Sequence, residues 1–163
     1  MSTFLWVLLA FAVVTLFMGA KVVPQGNEFT VERFGRYLRT LRPGLHVIIP
    51  YVDRIGRRLN KMEQVLDVPS QDVITRDNVS LKVNAVLYMK VADPSRAVIE
   101  IEDYLYATSQ LAQTTLRAVL GEVELDELLS DREKINAVLK RIIDERTDAW
   151  GIHVSAVEVK DVD

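Results

Sequence analysis

The chain has no cysteine, only two histidines (His46 and His153), and no charged side chain in its first twenty residues. Without cysteine there are no disulfides, thiolate metal sites, thiol nucleophiles or S-palmitoylation. Each histidine is better read as structural than as part of a Ser/His/Asp arrangement, since His46 sits in an apolar run and His153 in a terminal strand pattern. A glycine-rich phosphate loop, H-E-x-x-H and G-x-S-x-G are all missing. Seven glycines and five prolines in 163 residues are too few for a collagen-like or low-complexity chain. What remains, 49% hydrophobic and 26% charged residues, suits one folded domain or slightly more. The sequence therefore predicts no enzyme, no cofactor and no metal.

The missing charge at the amino terminus is informative. Phe4 to Ala20 reads FLWVLLAFAVVTLFMGA, and with Lys21 snorkelling the apolar stretch runs 20 residues to Val23. As a helix that is about 30 Å, one hydrocarbon thickness. Phe4, Leu5, Trp6, Val7, Leu8, Leu9, Phe11, Val13, Val14, Leu16 and Phe17 form the expected anchor. Their insertion is worth roughly 3–6 kcal/mol, and one central Arg would cost about 3 kcal/mol of it. Pro24 and Gly26 are expected to end the helix. A cleaved signal peptide is the competing reading, but Met-Ser-Thr carries no basic side chain and Met18-Gly19-Ala20 is a poor cleavage site. Lys21, Arg33, Arg36 and Arg39 follow the span and no basic residue precedes it, which predicts an outside amino terminus and a cytoplasmic remainder.

Beyond the span, charge divides the chain. Residues 21–90 hold 12 Lys and Arg against 7 Asp and Glu, whereas residues 91–163 hold 8 against 16. A basic face beside a bilayer meets anionic lipid favourably. Opposite charges on one subunit also suit a repeated head-to-tail assembly, and two ordinary solvated surfaces explain them equally well.

The basic part reads as strands. Glu28–Glu32 alternates, Pro43-Gly44 marks a turn before Leu45–Ile49, and Val79, Leu81, Val83, Ala85, Leu87, Met89 and Val91 recur at period two. Asp77-Asn78 predicts a hairpin back to Val73–Thr75. The acidic part reads as helices. Asp93-Pro94 and Asp103 are expected starts, Gly121 a left-handed stop, and Ser130 with Glu133 a capping box. Ile135, Val138, Leu139, Ile142 and Ile143 fall at helical spacing up to Trp150-Gly151. A last strand, Ile152 to Val159, changes face, which predicts a bulge near Ala156. The expected class is α+β with an antiparallel sheet, divided as 1–23 anchor, 24–92 β-rich and 93–163 helical with a closing strand.

In the runs VVPQGNEFTVERFGRYLRTLRPGLHVIIP (Val22–Pro50), QDVITRDNVSLKVNAVLYMKVADP (Gln71–Pro94) and LRAVLGEVELDELLSDREKI (Leu116–Ile135), followed by Trp150-Gly151-Ile152, the chain resembles the stomatin/prohibitin/flotillin (SPFH, or band-seven) family. The likeness is greatest to bacterial stomatin-like proteins of the QmcA type. It implies a non-enzymatic scaffold of the bacterial inner membrane, a homo-oligomer closing into a ring or cage around a membrane microdomain. It also implies partners: the lipid bilayer, FtsH-type membrane proteases and NfeD-like membrane proteins. Two departures stand out. Family members continue after the last strand into a long Ala/Glu/Lys-rich helix that builds the wall of the assembly, whereas this chain stops at Asp163, so the resemblance does not by itself imply that these 163 residues self-assemble. Animal stomatins carry palmitoylated cysteines that this chain lacks.

Membrane-interface candidates follow from the run LHVIIPYV. Lys21, Leu45, Val47, Ile48, Ile49, Tyr51, Val52 and Arg54 are expected to meet the bilayer surface, with Tyr51 at headgroup level. The alternative is a core strand, and spacing alone leaves both open. Arg33, Arg36, Arg39 and Arg42 recur every third residue, which fits neither a strand face nor a helix face, so they are expected to point several ways. Nucleic-acid binding is not expected, because no aromatic-basic platform accompanies the charge. Glu122, Glu124, Asp126, Glu127 and Asp131 lack the spacing of a calcium loop and read as a solvated face.

Overall fold

The structure, a computed structural model, describes residues 1–162, so Asp163, the last residue of the expected helical part, lies outside the described residues. The fold is α+β: an apolar amino-terminal helix, then antiparallel sheets and helices. It forms two compact units, Met1–Lys61 and Met62–Asp163. The expected division between residues 92 and 93 cuts through pairing instead. The long strand that charge assigned to the basic half pairs with the closing strand, so hydrogen bonding draws the boundary earlier.

The first unit opens with α1 (Ser2–Gly19), whose side chains are nearly all exposed and which is long and apolar enough to cross a membrane. The helix ends four residues before the expected Val23. Ala20–Val23 instead form β1, paired antiparallel with β4 (Gly44–Val47). The reason lies at Gly19, whose carbonyl accepts from the Ile48 amide at 2.8 Å. A Cβ on Gly19 would overlap the Ile48 carbonyl oxygen, so only glycine lets the two backbones approach. Beyond this ribbon, β2 (Asn27–Arg33) is the middle strand between β3 (Arg36–Leu41) and β5 (Asp53–Asn60). Val23, Phe29, Val31, Leu41 and Ile48 form the core, with Ile55 against it. As the central strand, β2 buries Glu28 and Thr30 as well as Phe29 and Val31, so the expected polar face is covered.

The second unit holds the sheet β6 (Gln64–Ile74), β7 (Ser80–Val91) and β8 (Ile152–Val162), with β7 in the middle. Leu81, Val83, Ala85, Leu87, Met89 and Val91 are buried as their period predicts. Asn78 takes φ 65° in the β6–β7 turn, and Asp77 accepts from the Thr75 hydroxyl. The β8 bulge falls at Ser155, between the Tyr88–Ala156 and Met89–Val154 pairs, and a second register shift separates Val83 from Ala85. α3 (Tyr104–Leu120) packs on β6 and α5 (Arg132–Thr147) on β8. Leu116, Leu120, Ile135, Leu139 and Ile143 are buried, while Val138 and Ile142 are only half-buried.

The expected starts hold at both aspartates. Asp93 accepts from the Ser95 amide at the head of α2 (Pro94–Ile99), and Asp103 from the Tyr106 amide at the head of α3. Two other expected ends differ. Gly121 is right-handed (φ −68°), because its amide still bonds back to Arg117 and the next amide, of Glu122, to Val119. The Ser130–Glu133 capping box does not form: Ser130 belongs to α4 (Leu125–Ser130), its hydroxyl donates to the Asp126 carbonyl, and Asp131 precedes α5. The left-handed stop is Gly151 (φ 70°), whose carbonyl accepts from the amides of Ala92 and Asp93 and so ties the start of β8 to the end of β7.

Candidate membrane-facing site

One end of the first unit gathers three segments that lie apart in sequence. β2 and β5 are antiparallel with Arg33 opposite Asp53, so the tip of the β2–β3 hairpin and the turn before β5 share that end. The Asp53 amide donates to the Ile49 carbonyl at 2.8 Å, and Ile48 donates to Gly19 at the foot of α1. Hairpin tip, turn and helix foot are thus linked by backbone hydrogen bonds and one strand pair.

The turn rises beside the helix. Tyr51 lies stacked on Phe11, with ring centroids 6.4 Å apart and planes 5° from parallel. Phe11 is eight residues above the helix foot, about 12 Å along the axis. Tyr51 therefore reaches nearly halfway up α1. Leu45, Val47, Ile49 and Tyr51 are all exposed, which no core strand would leave. Ile48 departs from the interfacial expectation: at 5% exposure it points into the core with Val31 and Leu41. Val52 is half-buried. Val47, Ile48, Ile49 and Pro50 face Leu8, Phe11, Ala12, Thr15 and Leu16 across an apolar groove of about 460 Å³. The one hydroxyl on its helical wall, Thr15, is satisfied by donating to the Phe11 carbonyl at 2.8 Å.

An ion pair holds this turn in place. Arg33 grips Asp53 with both arms, Nε to Oδ1 at 2.6 Å and Nη2 to Oδ2 at 3.1 Å. Asp53 Oδ2 also accepts from the Ile49 amide at 3.3 Å. The Asp53 side chain is only 2% exposed. The hydrogen bond from Arg33 holds its carboxyl below the usual carboxylate range, and the Ile49 amide adds to this, against the opposing effect of burial. Arg54 pairs with Glu32 at 3.1 Å, Arg39 donates to the Val47 carbonyl, and Arg58 lies over the Phe29 ring at 5.2 Å. Of the arginines at three-residue spacing, Arg33 turns to Asp53 and Arg39 to the Val47 carbonyl. Lys21 stands opposite His46 in the β1–β4 ribbon.

Sequence reasoning passed over Phe34. Arg33 pairs with Arg36, leaving the two-residue turn Phe34-Gly35, with φ of 52° and 80°. A turn with both central residues at positive φ favours Asn-Gly, and a left-handed Phe costs roughly 1–2 kcal/mol. The ring is 82% exposed, so packing does not offset that cost. The signal was a glycine two residues after the alternating strand ends. The bulky residue before it disguised the turn.

The remaining candidates do not assemble into a site. His46 bonds the Arg42 carbonyl and His153 lies 3.4 Å from Asp144. Glu124 pairs with Arg76 at 2.8 Å. Among the described residues no group of three or more His, Asp or Glu is placed to hold a metal ion.

Comparison with known proteins agrees with this architecture. The family described as SPFH domain / Band 7 matches residues 21–163. A stomatin homolog of Pyrococcus horikoshii is 48% identical over 157 residues, covering 96% of this chain and 59% of that protein. An uncharacterized protein of Archaeoglobus fulgidus is 48% identical over 159 residues, covering 97% of this chain and 64% of its own. One from Mycobacterium tuberculosis is 39% identical over 160 residues, covering 42% of that protein. The chain thus spans between about two fifths and two thirds of the length of these relatives. With the match running from the foot of the apolar helix to the end of the chain, this protein belongs to the SPFH/band 7 family.

Proposed function

We propose that the protein is a membrane-anchored scaffold whose copies assemble laterally into a ring or cage that organises a patch of the inner membrane. The observation that carries the membrane half of this reading is the Tyr51–Phe11 stack. If α1 spans the bilayer, the Ile49–Val52 turn lies within the near leaflet, and the exposed Phe34 tip at the same end of the unit meets that leaflet too. Family membership supports a membrane-associated, non-enzymatic role. The basic residues beyond the helix foot, Lys21 first, favour the cytoplasmic side for the folded units.

Charge supports the lateral half. The first unit carries nine Lys and Arg against three Asp and Glu, and the second eleven against twenty. The structural boundary therefore separates charge more sharply than the sequence division, and a basic unit of one copy attracts an acidic unit of the next. A heterologous contact of this kind closes into a ring when the rotation per copy permits, and many copies turn weak contacts into avidity. Extraction of the full-length protein in mild detergent should yield a large particle of narrow size by electron microscopy. A uniform monomer would contradict the scaffold.

The second reading is an adaptor that restrains a membrane protease of the FtsH type, with or without an NfeD-like membrane partner. The exposed surface around α4 in the acidic unit favours it, since it offers charged side chains such as Glu122, Asp126 and Asp131 to a partner. Co-purification of a protease, with altered turnover of membrane substrates on deletion, would select it.

A further inference from the structure

We propose that the foot of α1 is a binding site for one anionic phospholipid, with an acyl chain in the groove beside the helix and the phosphate on Lys21 and Arg58. Two depressions meet there. The apolar groove of about 460 Å³ runs between α1 and the Val47–Pro50 segment. It shares Ile48 and Pro50 with a second depression, of about 320 Å³, whose walls include Lys21, Asp53, Arg54 and Arg58. One end of the combined site is thus hydrocarbon and the other is charged, the pattern of a lipid rather than of a soluble anion.

The charges at the mouth do not cancel. Asp53 is taken by Arg33, and Arg54 by Glu32. Lys21 and Arg58 form no ion pair among the described residues, and Arg58 is steadied over the Phe29 ring. Two cations without a carboxylate therefore face one depression at the level where the apolar helix ends. A phosphodiester is the anion a membrane supplies at that level, joined to the chain that the groove accepts. The helical wall is made for this by a small residue, since Ala12 opens the groove between Phe11 and Leu16.

This site rests on the membrane reading of α1, so resistance of the wild-type chain to alkaline carbonate extraction is checked first and separately. The full chain is then exchanged into detergent with phosphatidylglycerol or phosphatidylcholine, and retained lipid is counted by native mass spectrometry. Phosphatidylglycerol should be retained preferentially, and Lys21→Gln with Arg58→Gln should lower that preference about 25-fold, at about fivefold per cation. Arg58→Lys should keep it. Ala12→Trp should reduce retention of both lipids while carbonate resistance is kept, whereas Ala10→Trp, on the opposite face of α1, should change nothing. Equal retention of the two lipids by wild type would overturn the proposal. So would a preference that survives the double substitution, unchanged retention in Ala12→Trp, or equally tight binding of inorganic phosphate alone.

Discussion

Phe34 and Asp53 do opposite things at the same end of one sheet. Phe34 is held at positive φ in a turn that prefers asparagine, with its ring in the open. Phe34→Asn should therefore raise the melting temperature of the detergent-solubilised chain, by an amount matching about 1 kcal/mol, while weakening binding of the folded units to anionic vesicles. A variant that melts lower would remove the conflict between turn and surface. Asp53 stabilises through its charged form, because Arg33 lowers its carboxyl in the folded state. Its contribution is complete above about pH 4, the unfolded carboxylate range, and is lost as pH falls through the lower folded value. Asp53→Asn should be less stable at neutral pH and should lose part of the acid dependence of melting. Equal pH profiles would contradict the role given to the pair. Neither residue was legible beforehand. The Arg33–Asp53 contact joins strands twenty residues apart, and a phenylalanine is the last residue expected in that turn.

At the scale of elements, periodicity was readable where one face of an element is buried and the other is wet. β7 and α5 show this: their buried positions follow the two- and 3.6-residue repeats directly. β5 was invisible because Arg54 and Arg58 occupy its exposed side and Arg57 shares the covered side with Ile55 and Leu59, leaving little apolar alternation. β1 hid inside the apolar run, since Val22 and Val23 suit a membrane helix and a strand equally well until β4 is placed beside them. The aspartate caps were readable from local chemistry alone, whereas the Gly121 and Ser130 ends depended on the chain that follows. Leu139, fully buried on the face of α5 that meets β8, tests the helix packing. Leu139→Ala should cost about 2–5 kcal/mol. Hydrogen exchange should rise across α5 and β8 and stay unchanged across β2, β3 and β5, because these belong to the other unit. Equal loss in both units would mean that they unfold as one.

For the whole molecule, an α+β chain with an amino-terminal membrane-length helix could be read from the residues, and the family from its motifs. The depth of the Ile49–Val52 turn could not, because a run such as LHVIIPYV has the same spacing in a core and against a helix. The exposure of Leu45, Val47 and Ile49 and the placement of Tyr51 on Phe11 separate the two. If that geometry stands in a bilayer, the first unit is partly immersed. The direct test is depth-dependent quenching of Tyr51→Trp, in a full-length chain with Trp6→Phe and Trp150→Phe, reconstituted into vesicles of lipids brominated at defined acyl positions. Strong quenching from within the acyl region, with little from a water-soluble quencher, is the predicted result. Fluorescence quenched from water and untouched by brominated chains would place the turn outside the membrane and contradict the account.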